Sequence, residues 1–433
     1  MERYVFCSLK ERQMKRLIIG LVLCMACVLT LHAAGQQEAE KPVTLELMYW
    51  DNEQTKVLKE ALEEFHAINP NITVTMNVAP SKQYWQKLQT TTVAGTAPDV
   101  FWINYPNFPK YFNSNTLLNL SPYIEKSTIT NISNYPASLM KKYTQNGAVY
   151  AIPEQFDTII LAYNKDLFDE AGIAYPDDTW TWDTLRDVAI KLTKNTPNGK
   201  QYGFLSSTDN HACYYDFMVT NGGFIVSDDD KKSGFDDPAS IEAVQYLYDL
   251  MYKYHCSPTG KEIAELNHTL DMFYSKRVAM ATVGAYHVPT IYASLGKSAD
   301  FAAFPISPRT GYRRTLIHGT AWAGYAKTKN PKETWKLIEF LTDKEFNQKL
   351  ARDAITTPSY KGMATDWVKS IPEYHLQKFI DAVDYSLPYP QSKKSEEWQS
   401  LERKIIKDVW IQSIGVDEAM HSIADQTNAI LNK

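Results

Sequence analysis

Cysteine is scarce in this chain: five among 433 residues, three of them (Cys7, Cys24 and Cys27) within the first 27 positions. Only Cys213 and Cys256 follow, which excludes a small scaffold stapled by disulfides. If those two paired, closing the loop would stabilise the chain by roughly 4 kcal/mol in the chain-entropy model. Sequence cannot show that their side chains meet, and two separately buried thiols are the expectation. A basic surplus is missing too: 45 Lys and Arg stand against 50 Asp and Glu, for a net charge of −5, which argues against duplex nucleic acid as a partner. Beyond the N-terminal region there is no C-x-x-C, H-E-x-x-H, G-x-S-x-G elbow or phosphate-cradling glycine loop. The run Asp228 to Asp230 with Lys231 and Lys232 lacks calcium-loop spacing and reads as a solvated hairpin tip.

Long apolar runs are also lacking, apart from Leu17 to Leu31, and about fifteen residues are too few for a membrane span. Lys15 and Arg16 precede that run, and small residues followed by the polar string Gly35 to Lys41 come after it, the layout of an export leader. Residues 1–34 are read as an N-terminal extension plus signal peptide, with Met14 as the start. Two routes of release stay open. Ala33 and Ala34 suit cleavage to a soluble product, whereas lipid attachment at Cys27 would use Ala26 before it, with Cys24 where an apolar residue is wanted. Either route leaves the protein periplasmic or on the outer face of the cytoplasmic membrane.

The rest is an ordinary globular composition, 44% hydrophobic and 22% charged, over a length that suits two domains. Thr44–Tyr49 alternates as a strand, and Lys56–Ile68 places Val57, Leu58, Ala61, Leu62, Phe65 and Ile68 on one helical side. Ile72–Val78 is a second strand. Tyr84–Ala94 reads as a helix stopped by Gly95, and Asp99–Ile103 as a third strand, so a parallel sheet is expected with ligand-facing turns at its carboxyl edge. Further helices are expected over Thr181–Thr193, over Asp237–Tyr254 with Asp237 and Pro238 as cap and first turn, and over Lys332–Leu341.

Gly147 to Phe168, GAVYAIPEQFDTIILAYNKDLF, is the most informative stretch. Ala148–Ile152 and Thr158–Tyr163 look like two strands interrupted by the polar residues Glu154, Gln155 and Asp157, read as cleft residues; a solvated connection is the plain alternative. Asn164 or Asp166 then caps a short helix ended by Gly172.

This segment resembles the crossover of the extracellular solute-binding proteins that serve ABC sugar importers, the maltose-binding-protein-like group, in which YNKDLF after such a strand is characteristic. LELMYWDNEQ, APDVFWINY, FYSKRVAMATVGAY and HGTAWAGYAKTKNPKETWKLIEFL resemble other segments of the family in the same order, over about residues 43 to 400. Ser275 stands where the family usually has a glycine-like turn residue, and Tyr286 where it often has Trp. The resemblance implies an α/β, two-lobe periplasmic-binding-protein fold of type II character. Residues 42–153 and 310–355 would form the first lobe, and 154–309 with 356–433 the second. Hinge strands would run near Tyr150–Glu154, Ser307–Arg313 and Ile355–Ser359. It also implies a monomer that closes on a neutral carbohydrate without any cofactor and hands it to a membrane permease.

Candidate ligand residues follow. Trp50, Asp51 and Gln54 come after the first strand, where open α/β sheets bind ligands; core packing of Trp50 and helix capping by Asp51 are the alternatives. Trp102, Asn104 and Tyr105 resemble a family segment that supplies stacking and hydroxyl contacts. Asp157 matches an acidic position that binds sugar in maltose-binding relatives, and Tyr286 and Trp398 match stacking aromatics. Trp398 also recurs with Leu401 and Ile405 at helical spacing, which favours burial equally. His318 and Trp322 lie in HGTAW, where a glycine lets backbone approach a ligand; no partner at ligand spacing makes His318 a metal site. A surplus of 27 Tyr and 10 Trp suits sugar recognition, although most such rings pack in cores. A glycoside hydrolase using Asp51 and Asp157 is the enzymatic alternative. A receptor for a polyol phosphate or a peptide is another, weakened for phosphate by the absence of an obvious Arg in the cleft motifs.

Overall fold

The computed structural model describes residues 41–433, except Asp51, Asn198, Asp228, Asn267, Ala354, Ile355, Lys393 and the side chains of Ser81, Lys82 and Ser138. The signal segment, Met14, Cys27 and Asp51 therefore lie outside the described residues. The strands that position the cleft are β1 (Val43–Tyr49), β2 (Ile72–Val78), β3 (Val100–Asn104), β4 (Ala151–Asn164), β5 (Gly199–Phe204), β6 (Val278–Gly284), β7 (Ala299–Ala302), β8 (Thr315–Gly324), β9 (Thr357–Pro358) and β10 (Ser386–Pro388). β1 pairs in parallel with β2 and β3, and β8 runs antiparallel to both β3 and β4. Further along the chain, β4 pairs antiparallel with β6 and β7, and β5 lies parallel to β6.

Two hydrophobic cores result. One gathers β1, β3 and the stripe Val57, Leu58, Ala61 and Phe65 of the helix Thr55–Ile68, closed by Trp335, Leu337, Ile338 and Leu341 from the helix Pro331–Leu341. The other gathers the distal half of β4, with β5, β6 and the helices Trp182–Leu192, Pro238–Tyr252, Ser395–Trp410 and Val416–Leu431. Local signals mark the helix ends as expected from chemistry. Asn164 accepts the amide of Leu167, Thr181 that of Thr184, and Asp237 that of Ala239, each satisfying a first-turn donor. Gly95 and Gly172 end their helices at φ 75° and 64°, in the left-handed region that glycine enters without strain. Cys213 and Cys256 are both buried and unpaired.

The expected polar turn at 154–157 does not exist: β4 is one continuous strand of 14 residues. Its near half, Ala151 to Thr158, pairs with β8 and its far half, Ile159 to Tyr163, with β6, so each half obtains its hydrogen bonds from a different core's sheet. The register slips between Pro153–Ala321 and Gln155–Thr320, leaving Glu154 as the extra residue of a bulge. A bulge is also where a central strand tolerates a proline, which has no N–H to give the ladder. Ser307–Arg313, expected as a hinge strand, is a turn in which Gly311 donates to Ser307 O at 2.9 Å and Ser307 to Tyr312 O at 3.1 Å. The chain crosses instead along β8, next to β4. The short β9, antiparallel to β4 at Gln155 and Phe156, is a third crossing element. The left-handed residue in FYSKR is Lys276, φ 61°, one position after Ser275.

Candidate ligand cleft

A cavity of about 730 Å³ lies where the two cores face each other. Trp50, Glu53 and Asn104 line it from the β1 and β3 side. Tyr286, His287, His268, Asp271, Tyr274, Thr290 and His211 line it from the opposite side, and Gln155, Phe156, Asp157, His318, Thr320 and Thr356 from the crossing strands between. Six sequence candidates thus converge there: Trp50, Asn104, Gln155, Asp157, Tyr286 and His318.

The other described candidates do not line it, each for a packing reason. Trp102 and Trp322 are cross-strand partners on β3 and β8, with centroids 5.4 Å apart, and both are fully buried. They form the floor under Trp50, whose ring meets Trp102 at 4.7 Å, Tyr84 at 5.0 Å and Trp85 at 5.4 Å. Trp50 therefore reaches the cleft from a rigid aromatic bed. Gln54 is fully buried just before the first helix. Glu154 is fully buried at the bulge and does not reach the lining. Tyr105 is buried between Tyr143 (5.0 Å) and His318 (6.1 Å), and burial first, then the Asp157 charge, pushes its phenol above the ordinary range. Trp398 belongs to the second core and donates its indole N–H to Ser392 Oγ at 2.9 Å, so its helical spacing was the informative signal.

Asp157 is the electrostatic centre. It faces His318 across the β4–β8 register, Oδ1 to Nδ1 at 3.5 Å, and its Oδ2 lies 3.9 Å from His211 Nε2. Oδ2 has no hydrogen-bond partner among the described residues, although the side chain is almost wholly buried. Burial alone would raise this carboxyl. His211, His318 and His287 outweigh it, so the group stays an anion below the usual carboxylate range. Burial in turn pushes His211 and His287 down to about 4, the charge of Asp157 opposing it at His211 and those of Asp209 and Asp157 at His287, so both are neutral at pH 7. The lining contains no Lys or Arg among the described residues. Among those residues, too, no group of three or more His, Cys, Asp or Glu could hold a metal ion.

Four histidines of the chain's nine, His211, His268, His287 and His318, thus share one cleft, and three of them escaped sequence reading. His287 was signalled only by adjacency to Tyr286. His211 sits on a π-helical turn, Asn210–Tyr214, which no local motif announces. Gly319 does permit a close approach, but to protein rather than to ligand: a Cβ there would lie 3.1 Å from Gln155 O and 3.4 Å from the Tyr105 ring. Thr356 hydrogen-bonds Gln155 Oε1, and Asn104 Oδ1 accepts from Asn107, so both polar residues are oriented before any ligand arrives. This set can stack sugar-like apolar faces on Trp50 and Tyr286 while Asp157, Gln155, Thr320 and neutral imidazoles exchange hydrogen bonds with hydroxyls.

The chain is 26% identical to the multiple sugar-binding protein of Streptococcus mutans over 377 residues, covering 83% of this chain and 85% of that one. Among solved structures, it superposes on an ABC substrate-binding protein of Listeria monocytogenes in complex with cycloalternan (TM-score 0.84, 21% identity, 90% and 100% of the two chains). It also superposes on maltose-bound MalE3 of T. maritima (TM-score 0.77, 20% identity, 89% and 99%). These likenesses establish the two-domain fold of solute-binding proteins. Residues 50–348 match the family model of the bacterial extracellular solute-binding proteins, and the chain belongs to that family.

Proposed function

We propose that this protein is the extracytoplasmic binding component of an ABC importer, capturing a neutral carbohydrate by closure of its lobes. The observation that carries the reading is the cleft itself: aromatic walls on opposite lobes, Trp50 and Tyr286, with a buried anionic acceptor, Asp157, on the strands between them. A volume of about 730 Å³ falls in the ordinary range for small-molecule sites and leaves room for more than one sugar ring. A cleft without Lys or Arg offers no bidentate donor for phosphate or carboxylate, which favours an uncharged solute. Relatives named for multiple sugars and a neighbour holding cycloalternan support the same class. The protein works outside the cytoplasm, as its family does, and no described helix is long and apolar enough to cross a membrane. In this reading it acts as a monomer, needs no cofactor, and presents its closed form to a permease.

The test is a thermal-shift screen of the chain from Gln36 onward against mono-, di- and oligosaccharides, polyols and glycerol phosphates, with product analysis of each hit. A ligand at 100 times its dissociation constant adds roughly 2.7 kcal/mol. Intact sugar recovered from a stabilised protein supports the reading. Cleaved sugar would make it a hydrolase, and stabilisation by glycerol phosphates alone would reject the neutral carbohydrate.

A further inference from the structure

The helix Ser395–Trp410 contributes nothing to the cleft lining, yet it carries a fully buried acid, Glu402, on which three donors converge. Asn210 Nδ2 reaches Oε1 at 3.0 Å, Tyr215 OH the same oxygen at 2.9 Å, and Tyr214 OH reaches Oε2 at 2.6 Å. All three donors come from the π-helical turn or the residue after it, about 190 positions away in sequence. The Asn210 amide is used at both ends. Because the carboxyl side must receive its NH2, its Oδ1 faces the other way and accepts the backbone N–H of His211 at 2.9 Å. The imidazole that follows lies 3.9 Å from Asp157, 5.0 Å from His318 and 5.0 Å edge-on from Tyr389, at the cavity wall. Single π-helical turns are unstable by themselves and recur at functional sites, so such a turn needs an external brace.

We propose that Glu402 is a positioning residue for ligand binding: through the Asn210 amide it holds the π-helical turn in the register that presents His211 to Asp157 and to the bound solute. The ligand arm of this inference rests on the function proposed above; the positioning itself does not. While ionised, a carboxyl suits the role better than an amide, because three donors meet two acceptor oxygens, whereas the NH2 of a glutamine opposite Tyr214 OH would force that phenol to accept instead of donate. Burial pushes the Glu402 carboxyl up to about 7, the bonds from Tyr214, Tyr215 and Asn210 and the charge of Arg403 working against it; Tyr389 is the other titratable group it faces. The brace therefore changes protonation state near neutrality.

The test labels the histidines with ¹³C and ¹⁵N in the exported chain and follows their imidazole signals through pH 5 to 9, assigning His211 with His211→Ala. In Glu402→Gln the His211 signals move and an inflection near pH 7 present in the wild type disappears, while His66 and His421 stay in place. Asn210→Ala, which cuts the relay while leaving the bonds of Tyr214 and Tyr215 to Glu402 in place, moves the same signals; it carries the test if Glu402→Gln does not fold. Binding is measured with maltose, maltotriose and cellobiose. For any that binds, Glu402→Gln raises Kd about tenfold, and adds nothing further when His211→Ala is already present. An unmoved His211 signal in a folded variant overturns the positioning role. Losses that multiply in the double variant overturn its action through His211. Failure of all three sugars to bind, with His211 displaced, counts against the carbohydrate reading alone.

Discussion

Gly284→Ala separates binding from stability at this cleft. Gly284 ends β6 with φ −90° and ψ 163°, a conformation any residue adopts, so a methyl group brings no backbone strain. The new Cβ, however, would lie 2.3 Å from Tyr286 Cε1, 2.8 Å from its Cδ1 and 3.0 Å from Asp157 Oδ2. Ordinary contact begins near 3.5 Å, so the ring must swing away by about 1 Å. It can, because Tyr286 is 40% exposed and its far end is free to turn into the cleft. The cost to folding is then about 1 kcal/mol, the low end of overpacking at a buried position, because the exposed ring gives way. Binding suffers more: a stacking ring displaced from one wall and a crowded carboxylate should cost about 1–2 kcal/mol, roughly tenfold in Kd. Isothermal titration with a sugar found by thermal shift, alongside urea melts of the empty protein, reads both quantities. An unchanged Kd would refute the role given to Tyr286, and a melt shifted as far as the binding would refute the claim that the ring yields.

Gly203→Ala is the contrasting case, since its Cβ would sit 2.0 Å from the carbonyl oxygen of Ala189, helix backbone that cannot step aside; a loss of about 4 kcal/mol or an insoluble protein is expected in urea melts. Asp157→Asn keeps the shape but removes the anion, and sugar affinity measured by titration calorimetry should fall by about 1.5–3 kcal/mol, the worth of hydrogen bonds to a charged acceptor; a change under twofold would remove Asp157 from the site. Acidification should destabilise the protein between pH 6.5 and 4. His211 and His287 titrate near 6.5 unfolded but about 4 folded, so the unfolded chain takes up the protons and on the order of 3 kcal/mol per histidine is lost across that window. Glu402 opposes this, because a carboxyl raised to about 7 binds its proton more readily when folded and adds stability as pH falls towards 4.5. Urea melts at pH 6.5, 5.5 and 4.5 that show no decline would contradict the buried neutral histidines. Trp50→Ala leaves the bed of Trp102, Tyr84 and Trp85 intact, so stopped-flow release of sugar should quicken by about tenfold while association changes little.

Much of the fold was legible because it is locally encoded. Ile72–Val78 and the caps at Asn164, Thr181 and Asp237 are written in alternation and in first-turn chemistry. What misled was β4. Pro153 and three polar residues among the next four are turn chemistry by themselves, and only pairing with strands from both cores makes the segment continuous, a tertiary effect absent from any short window. The cleft was legible only where a strand ends or a motif stands: Trp50 and Asn104 at the ends of their strands, Gln155, Asp157, Tyr286 and His318 within motifs. Trp102 and Trp322 were overread because a ring near a strand's end can be floor or wall, and the sequence does not record depth. His211 was invisible because its placement depends on Asn210 meeting Glu402, and that contact joins residues 192 positions apart.

The acidic anchor lies on the crossing strands rather than on either jaw. Asp157 and Gln155 belong to β4, His318 and Thr320 to β8, and those two strands pass side by side from one core to the other. In a rotation about such an axle the points on it travel least, whereas Trp50 and Tyr286, at the rims, sweep the full arc. The solute's polar end therefore meets its partners in nearly the same arrangement whether the jaws stand apart or together. In the closure proposed here, recognition divides in time: docking at the axle chooses the molecule, and the arriving rings decide how long it stays.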